Sequence, residues 1–126
     1  MTIRREILVL EDDPFNRELI VSSLRDAGYD VCAEVRETND IGSANAIRLV
    51  IVDLGAPKTG GANSLRELRS RYHGARIVAI SGRFHFNAGT ASALARQIGA
   101  DRVLAKPFDC EALLAVVRQL LTESVE

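Results

Sequence analysis

Long apolar runs are missing from this chain of 126 residues. Nowhere does a stretch approach the roughly 18 consecutive apolar residues of a bilayer-spanning helix, which excludes a helical membrane span. Arg4 and Arg5 precede an apolar run in the manner of a secretory leader, but Glu11 ends that run after a few residues. An excess of one charge is missing too: 16 Lys and Arg stand against 17 Asp and Glu, a net charge of −1. Such a balance offers no broad basic footprint for nucleic acid, and Arg66, Arg69 and Arg71 read as a solvated helix face. Cysteine is scarce. Cys32 and Cys110 have neither CxxC nor histidine-interleaved spacing, so they read as reduced small core residues, not as a bridge or zinc site, in a cytoplasmic compartment. Repeats, linkers and low-complexity tracts are absent, and residues 1–126 are expected to form one domain.

What is present is a pattern of short, unbroken apolar runs. Ile7 to Leu10, Leu49 to Val52 and Ile77 to Ile80 show no polar alternation, as expected of strands covered by helices on both faces. Val31 to Val35 and Arg102 to Ala105 read as weaker strands. Between them Phe15, Leu19, Ile20 and Leu24 recur at helical spacing, with Asp13 as N-cap, Pro14 in the first turn and Gly28 as terminator. Leu65, Leu68 and Tyr72 repeat the pattern before Gly74. Ala91, Leu94, Ala95 and Ile98 do so before Gly99, and Leu113, Val117, Leu120 and Leu121 do so after a cap at Asp109. A short second helix is expected within Thr38 to Ile47. The alternation of five strands and five helices predicts an open, doubly wound α/β fold.

In such sheets, sites form at the carboxyl ends of the strands. The first expected strand ends in Glu11, Asp12 and Asp13, the third in Asp53, the fourth in Ser81 and the fifth in Lys106. Adjacent carboxylates repel unless a cation joins them, and an oxygen-only set without histidine suits Mg²⁺ better than zinc. Asp13 alone reads as a helix cap. Asp53 ends the central run LVIVDL and would point into the crevice, where a carboxylate could attack phosphorus while Mg²⁺ and Lys106 offset the developing charge.

Taken in order, these segments resemble the receiver domain of bacterial two-component response regulators over nearly the whole chain. ILVLEDD resembles the family's first strand with its acidic pair, Glu11 and Asp12. DLGAPKTGG resembles the phosphoacceptor strand and loop, with Asp53, Pro57 and Gly61 at the family's offsets. GADRVLAKPF places Lys106, followed by Pro107, on the family lysine, and Ser81 falls on the Ser/Thr switch position. The resemblance implies a flavodoxin-like fold, a five-stranded parallel sheet of strand order 2-1-3-4-5 with helices on both faces. It implies phosphorylation of Asp53 by a histidine kinase or histidine phosphotransfer protein. Mg²⁺ would be held by Asp12, Asp53, the main-chain carbonyl of Gly55 and, through water, Glu11, while Lys106 and Ser81 would contact phosphoryl oxygens. The only catalysis implied is the domain's own phosphorylation and dephosphorylation. Output would come from docking to a downstream protein, since no output domain follows the fifth helix, and relatives often form homodimers through their fourth and fifth helices and last strand.

This chain also departs from the family. Val103 stands where the aromatic coupled to the switch residue is usual, Gly82 where alanine is common, and Phe84 and Phe86 flank His85 in an unusual loop. A phosphorylation-independent pseudo-receiver, an interaction module of the same fold, is therefore the alternative. A dehalogenase-like phosphatase would need an aspartate two residues after the nucleophile, where Gly55 stands. A flavin carrier would need a phosphate cradle where Glu11 to Asp13 would repel it.

Overall fold

Each continuous apolar run becomes a strand because helices cover the sheet from both sides. The computed structural model describes residues 7–33, 47–54, 62–82, 95, 96, 98–106 and 108–123. Its strands are β1 (Ile7–Leu10), β2 (Val31–Ala33), β3 (Leu49–Asp53), β4 (Arg76–Ser81) and β5 (Arg102–Ala105). They form one sheet in the order β2-β1-β3-β4-β5, and every neighbouring pair is parallel. The helices with described bounds are α1 (Pro14–Asp26), α2 (Ala62–Arg71) and α3 (Cys110–Glu123). Ala95, Arg96 and Ile98 are helical as well, in the region expected to be the fourth helix. The short helix expected within Thr38 to Ile47 lies outside the described residues except for Ile47, which is buried.

Successive strand residues point to opposite faces, and the core divides accordingly. Ile7, Val9, Ile51, Val78 and Ile80 pack with Ile20 and Leu24 of α1 and Leu113, Val117 and Leu120 of α3. Leu8, Val50, Val52, Ile77, Ala79 and Val103 pack on the other side with Leu65 of α2 and with Tyr72. This is the expected doubly wound architecture. Local chemistry sets the helix ends: Asp13 accepts the Asn16 N–H at 3.3 Å, and Asp109 accepts the Ala112 N–H at 2.9 Å. Beyond α1, Gly28 takes a φ of 98°, a left-handed conformation that glycine adopts without strain. Among the described residues no helix is long and apolar enough to cross a membrane.

Three expectations need correction. Phe15 and Leu19 share the helical spacing of Ile20 and Leu24 but are 72% and 46% exposed. Phe15 lies in the first turn of α1, past the end of β1, and Leu19 lines a cavity whose walls come from both α1 and α3. Cys110 is exposed at the start of α3 and Cys32 is half-buried, so neither is a true core residue, although both are free thiols as expected. Finally, Arg69 is more than solvated helix face. Its guanidinium pairs with Asp101 at 3.0 Å, and Asp101 also receives the Ile77 N–H at 2.8 Å, which ties α2 to the start of β4.

This packing predicts a contrast between two leucines. Leu120→Ala, deep in the α1/α3 layer, should cost about 2–5 kcal/mol of stability. Leu19→Ala, on the open side of α1, should stay within about 0.5 kcal/mol. Urea unfolding of both variants measures the difference, and equal losses would mean that Leu19 is core after all.

Candidate functional site

Because all strands run parallel, their carboxyl ends meet at one edge of the sheet, and strand alternation sorts the polar residues that emerge there. Val9, Ile51 and Leu104 belong to the α1/α3 layer. Glu11, Asp53 and Lys106 each follow one of them by two positions and so emerge on that same side. Ser81 follows Ala79, which packs in the opposite layer. The structure thus brings Glu11, Asp53 and Lys106 together and places Ser81 beside them through its main chain, whose carbonyl accepts the Lys106 N–H at 3.1 Å.

The centre of the site is one ammonium shared by two carboxylates. Lys106 Nζ donates to Asp53 Oδ2 at 2.8 Å and to Glu11 Oε1 at 3.3 Å. The second oxygen of Glu11, Oε2, accepts the Asp13 main-chain N–H at 3.1 Å. Glu11 is 4% exposed and Asp53 6%, whereas the Lys106 side chain keeps 25% of its surface in water. Burial pushes the Glu11 carboxyl above the ordinary 4.5, and the hydrogen bond with Asp53 and the Asp53 charge push the same way. Lys106 and the Asp13 N–H pull it back only in part. For Lys106, burial works against the charged form, but the Asp53 hydrogen bond and the two facing carboxylates outweigh it. Its pKa rises above 10.5, so it stays cationic at neutral pH.

Asp12 is exposed at the rim, and Asp13 caps α1. Gly55, Pro107 and the Phe84, His85 and Phe86 segment lie outside the described residues. Among the described residues no three His, Cys, Asp or Glu side chains gather tightly enough to hold an ion by themselves. Two buried acids facing one lysine nonetheless form an oxygen donor set with surplus negative charge, which suits a hard divalent cation that keeps water in its shell. A cavity of about 410 Å³ lies behind Lys106, lined by Leu19, Ile20, Phe108 and Leu113 among others. Lys106 lines it and none of the acids does. Arg17, which no sequence motif singles out, reaches back from α1 to the Glu11 carbonyl at 3.1 Å. Its signal in the sequence is a cation one helical turn beyond a cap that follows two acids.

A parallel 2-1-3-4-5 sheet with acids and a lysine at its carboxyl edge defines a flavodoxin-like α/β domain whose site lies beyond the strand ends. The family model for the response regulator receiver domain matches residues 7–118, and the chain belongs to that family. It is therefore a receiver domain of two-component signalling, a signalling module and not a metabolic enzyme. The response regulator MprA of Mycolicibacterium vanbaalenii is 35% identical over 117 residues, covering 91% of this chain and 49% of that protein. The chain spans about half the length of the curated relatives it matches. A CheY-like receiver domain protein from Methanospirillum hungatei superposes with a TM-score of 0.74 at 20% identity, covering 98% of this chain and 97% of that one. A response regulator from Burkholderia pseudomallei, solved with a phosphorylated aspartic acid, a calcium ion and citrate, gives 0.66 at 25% identity, covering 96% and 73%.

The shared lysine predicts a coupled response to mutation. Lys106→Met should destabilise the metal-free protein by about 1–3 kcal/mol at neutral pH, because it leaves two buried carboxylates without their charged donor. Adding Glu11→Gln should recover part of that loss, since one of the facing charges is then gone. Urea unfolding of the wild type, both single variants and the double variant in chelator measures the coupling. Strictly additive effects would show that the three groups do not act as a cluster.

Proposed function

We propose that Asp53 is the phosphoacceptor of this receiver domain, and that the domain signals by docking to a partner protein according to its phosphorylation state. The observation that carries the reading is the 2.8 Å contact between Lys106 Nζ and Asp53 Oδ2 at the carboxyl end of the central strand. It puts a permanent cation where phosphoryl charge would develop. An Asp53 oxygen attacks the phosphorus of a phosphohistidine on a histidine kinase or phosphotransfer protein. The P–N bond breaks, its electron pair returns to the imidazole, and an acyl phosphate forms on Asp53. Lys106 then pairs with a phosphoryl oxygen, and Ser81 hydrogen-bonds another. Water later attacks phosphorus, releasing inorganic phosphate and restoring the carboxylate. A donor of this kind implies a reaction in the cytoplasm.

Asp12, Asp53 and the carbonyl of Gly55 would hold Mg²⁺, with Glu11 contributing through water. The ion supplies positive charge against the phosphoryl oxygens. The Burkholderia relative, with its phosphorylated aspartate and calcium ion, supports this reading by analogy. Buried Val103 favours a second reading, the phosphorylation-independent module, because it sits in the α2-side core in register with Ala79. A valine held there has no ring to move between inward and outward positions.

Two outcomes follow. Acetyl phosphate with Mg²⁺ should add one phosphoryl mass to the wild type and none to Asp53→Asn, read by intact mass spectrometry. Labelling of the variant would refute the assignment, and no labelling of the wild type would favour the phosphorylation-independent module. Beryllofluoride should shift the Ser81 amide and those of residues 82–88 strongly while Val103 stays close to its position. Large shifts confined to Val103 and α3 would contradict a response carried by Ser81 and the segment after it.

A further inference from the structure

We propose that Arg17 is a positioning residue for the acidic turn, gripping the main chain of Glu11 so that its carboxylate is held toward Asp53 and Lys106. Glu11 is the first residue beyond β1, whose ladder with β3 ends at the Leu10 and Val52 pair. From there the chain must turn into α1 within three residues, and strand pairing no longer fixes its direction. Helix contacts take over that task. Arg17 Nη1 donates to the Glu11 carbonyl at 3.1 Å, and the Arg17 N–H donates to the Asp13 carbonyl at 2.9 Å. Asp13 in turn gives its N–H to Glu11 Oε2 at 3.1 Å and accepts the Asn16 N–H at 3.3 Å. The turn is thus stitched to the first turn of α1, and where the Asp13 N–H and Lys106 hold the Glu11 carboxylate, the guanidinium holds its main-chain carbonyl.

The grip separates the roles of neighbouring acids. With its carbonyl drawn toward α1, Glu11 turns its side chain into the buried cluster, while Asp12 stays exposed at the rim. Arg17 also carries a positive charge, and this has the opposite consequence for a cation site. As a charge it repels a divalent ion, and as a clamp it holds the donors ready. Positioning is the dominant effect, so removing the guanidinium weakens ion binding instead of tightening it. This second consequence rests on the Mg²⁺ site proposed above. The first, the orientation of Glu11, does not.

The test uses ¹⁵N-labelled protein and Arg17→Met, which keeps the unbranched apolar stem of the side chain and removes its donors. In metal-free buffer, exchange of the Asp13 amide should accelerate several-fold in the variant while amides inside β1 keep their rates. Followed on the same resonances, Mg²⁺ should then bind about tenfold more weakly, the typical cost of losing a group that orients metal ligands. Unchanged Asp13 exchange would overturn the proposal, as would Mg²⁺ binding that is equal or tighter. If the wild type itself binds no Mg²⁺, the metal reading fails and Asp13 exchange alone decides the role of Arg17. Should Arg17→Met not fold, Arg17→Lys, with a single-point donor in place of the fork, is read in the same way.

Discussion

One ammonium group answering two buried carboxylates is the interaction on which the rest of this site depends. Lys106 reaches Asp53 at 2.8 Å and Glu11 at 3.3 Å, so it neutralises one acid and leaves the other in surplus. Burial makes that surplus costly, which is why the Glu11 carboxyl holds its proton above the ordinary 4.5. The linkage follows directly. A carboxyl whose folded pKa is raised contributes stability that is complete below 4.5 and is lost as pH rises through the folded value. A folded domain that keeps such an arrangement at neutral pH holds an unmet demand for positive charge at the end of its central strand.

Parallel sheet geometry concentrates this demand. Glu11, Asp53 and Lys106 come from three strands, yet each lies two residues past a core side chain of the α1/α3 layer. Period-two alternation aims all three at one side of one edge, and the fully buried β3 gives Asp53 a rigid base. The cavity that Lys106 helps to line complements this rigidity, since a lysine bordered by open space can follow a new anion more easily than one packed on every side. Short contacts at the two carboxylates thus stand next to open space at the lysine.

Much of this arrangement is legible in the sequence. Strands buried on both faces announce themselves as unbroken apolar runs, and the residues that end those runs are the ones that gather. Side-chain exposure is less legible. Helical periodicity groups Phe15 and Leu19 with Ile20 and Leu24, but it cannot tell that Leu19 lines an open cavity where its neighbour Ile20 is buried. Cys110 reads as a core residue for a similar reason, because its residue type is usually buried and its place at the start of α3 is a tertiary fact. The pairing of Arg69 with Asp101 joins positions far apart in the chain, and the reach of Arg17 to residue 11 runs backward across a helix cap. Neither follows a local period. The role of Ser81 rests on resemblance, and its place two residues past Ala79 puts it on the opposite side of its strand from the row of Glu11, Asp53 and Lys106, beside which its carbonyl accepts the Lys106 N–H.

Glu11 and Asp53 compete for a single cation, the ammonium of Lys106. The most direct measurement is a ¹³C carboxyl titration of Glu11 in the metal-free protein, repeated in Asp53→Asn. The midpoint should lie above 4.5 in the wild type and lower in the variant, where Lys106 serves Glu11 alone. A wild-type midpoint at or below 4.5, or one that Asp53→Asn leaves unmoved, would contradict it.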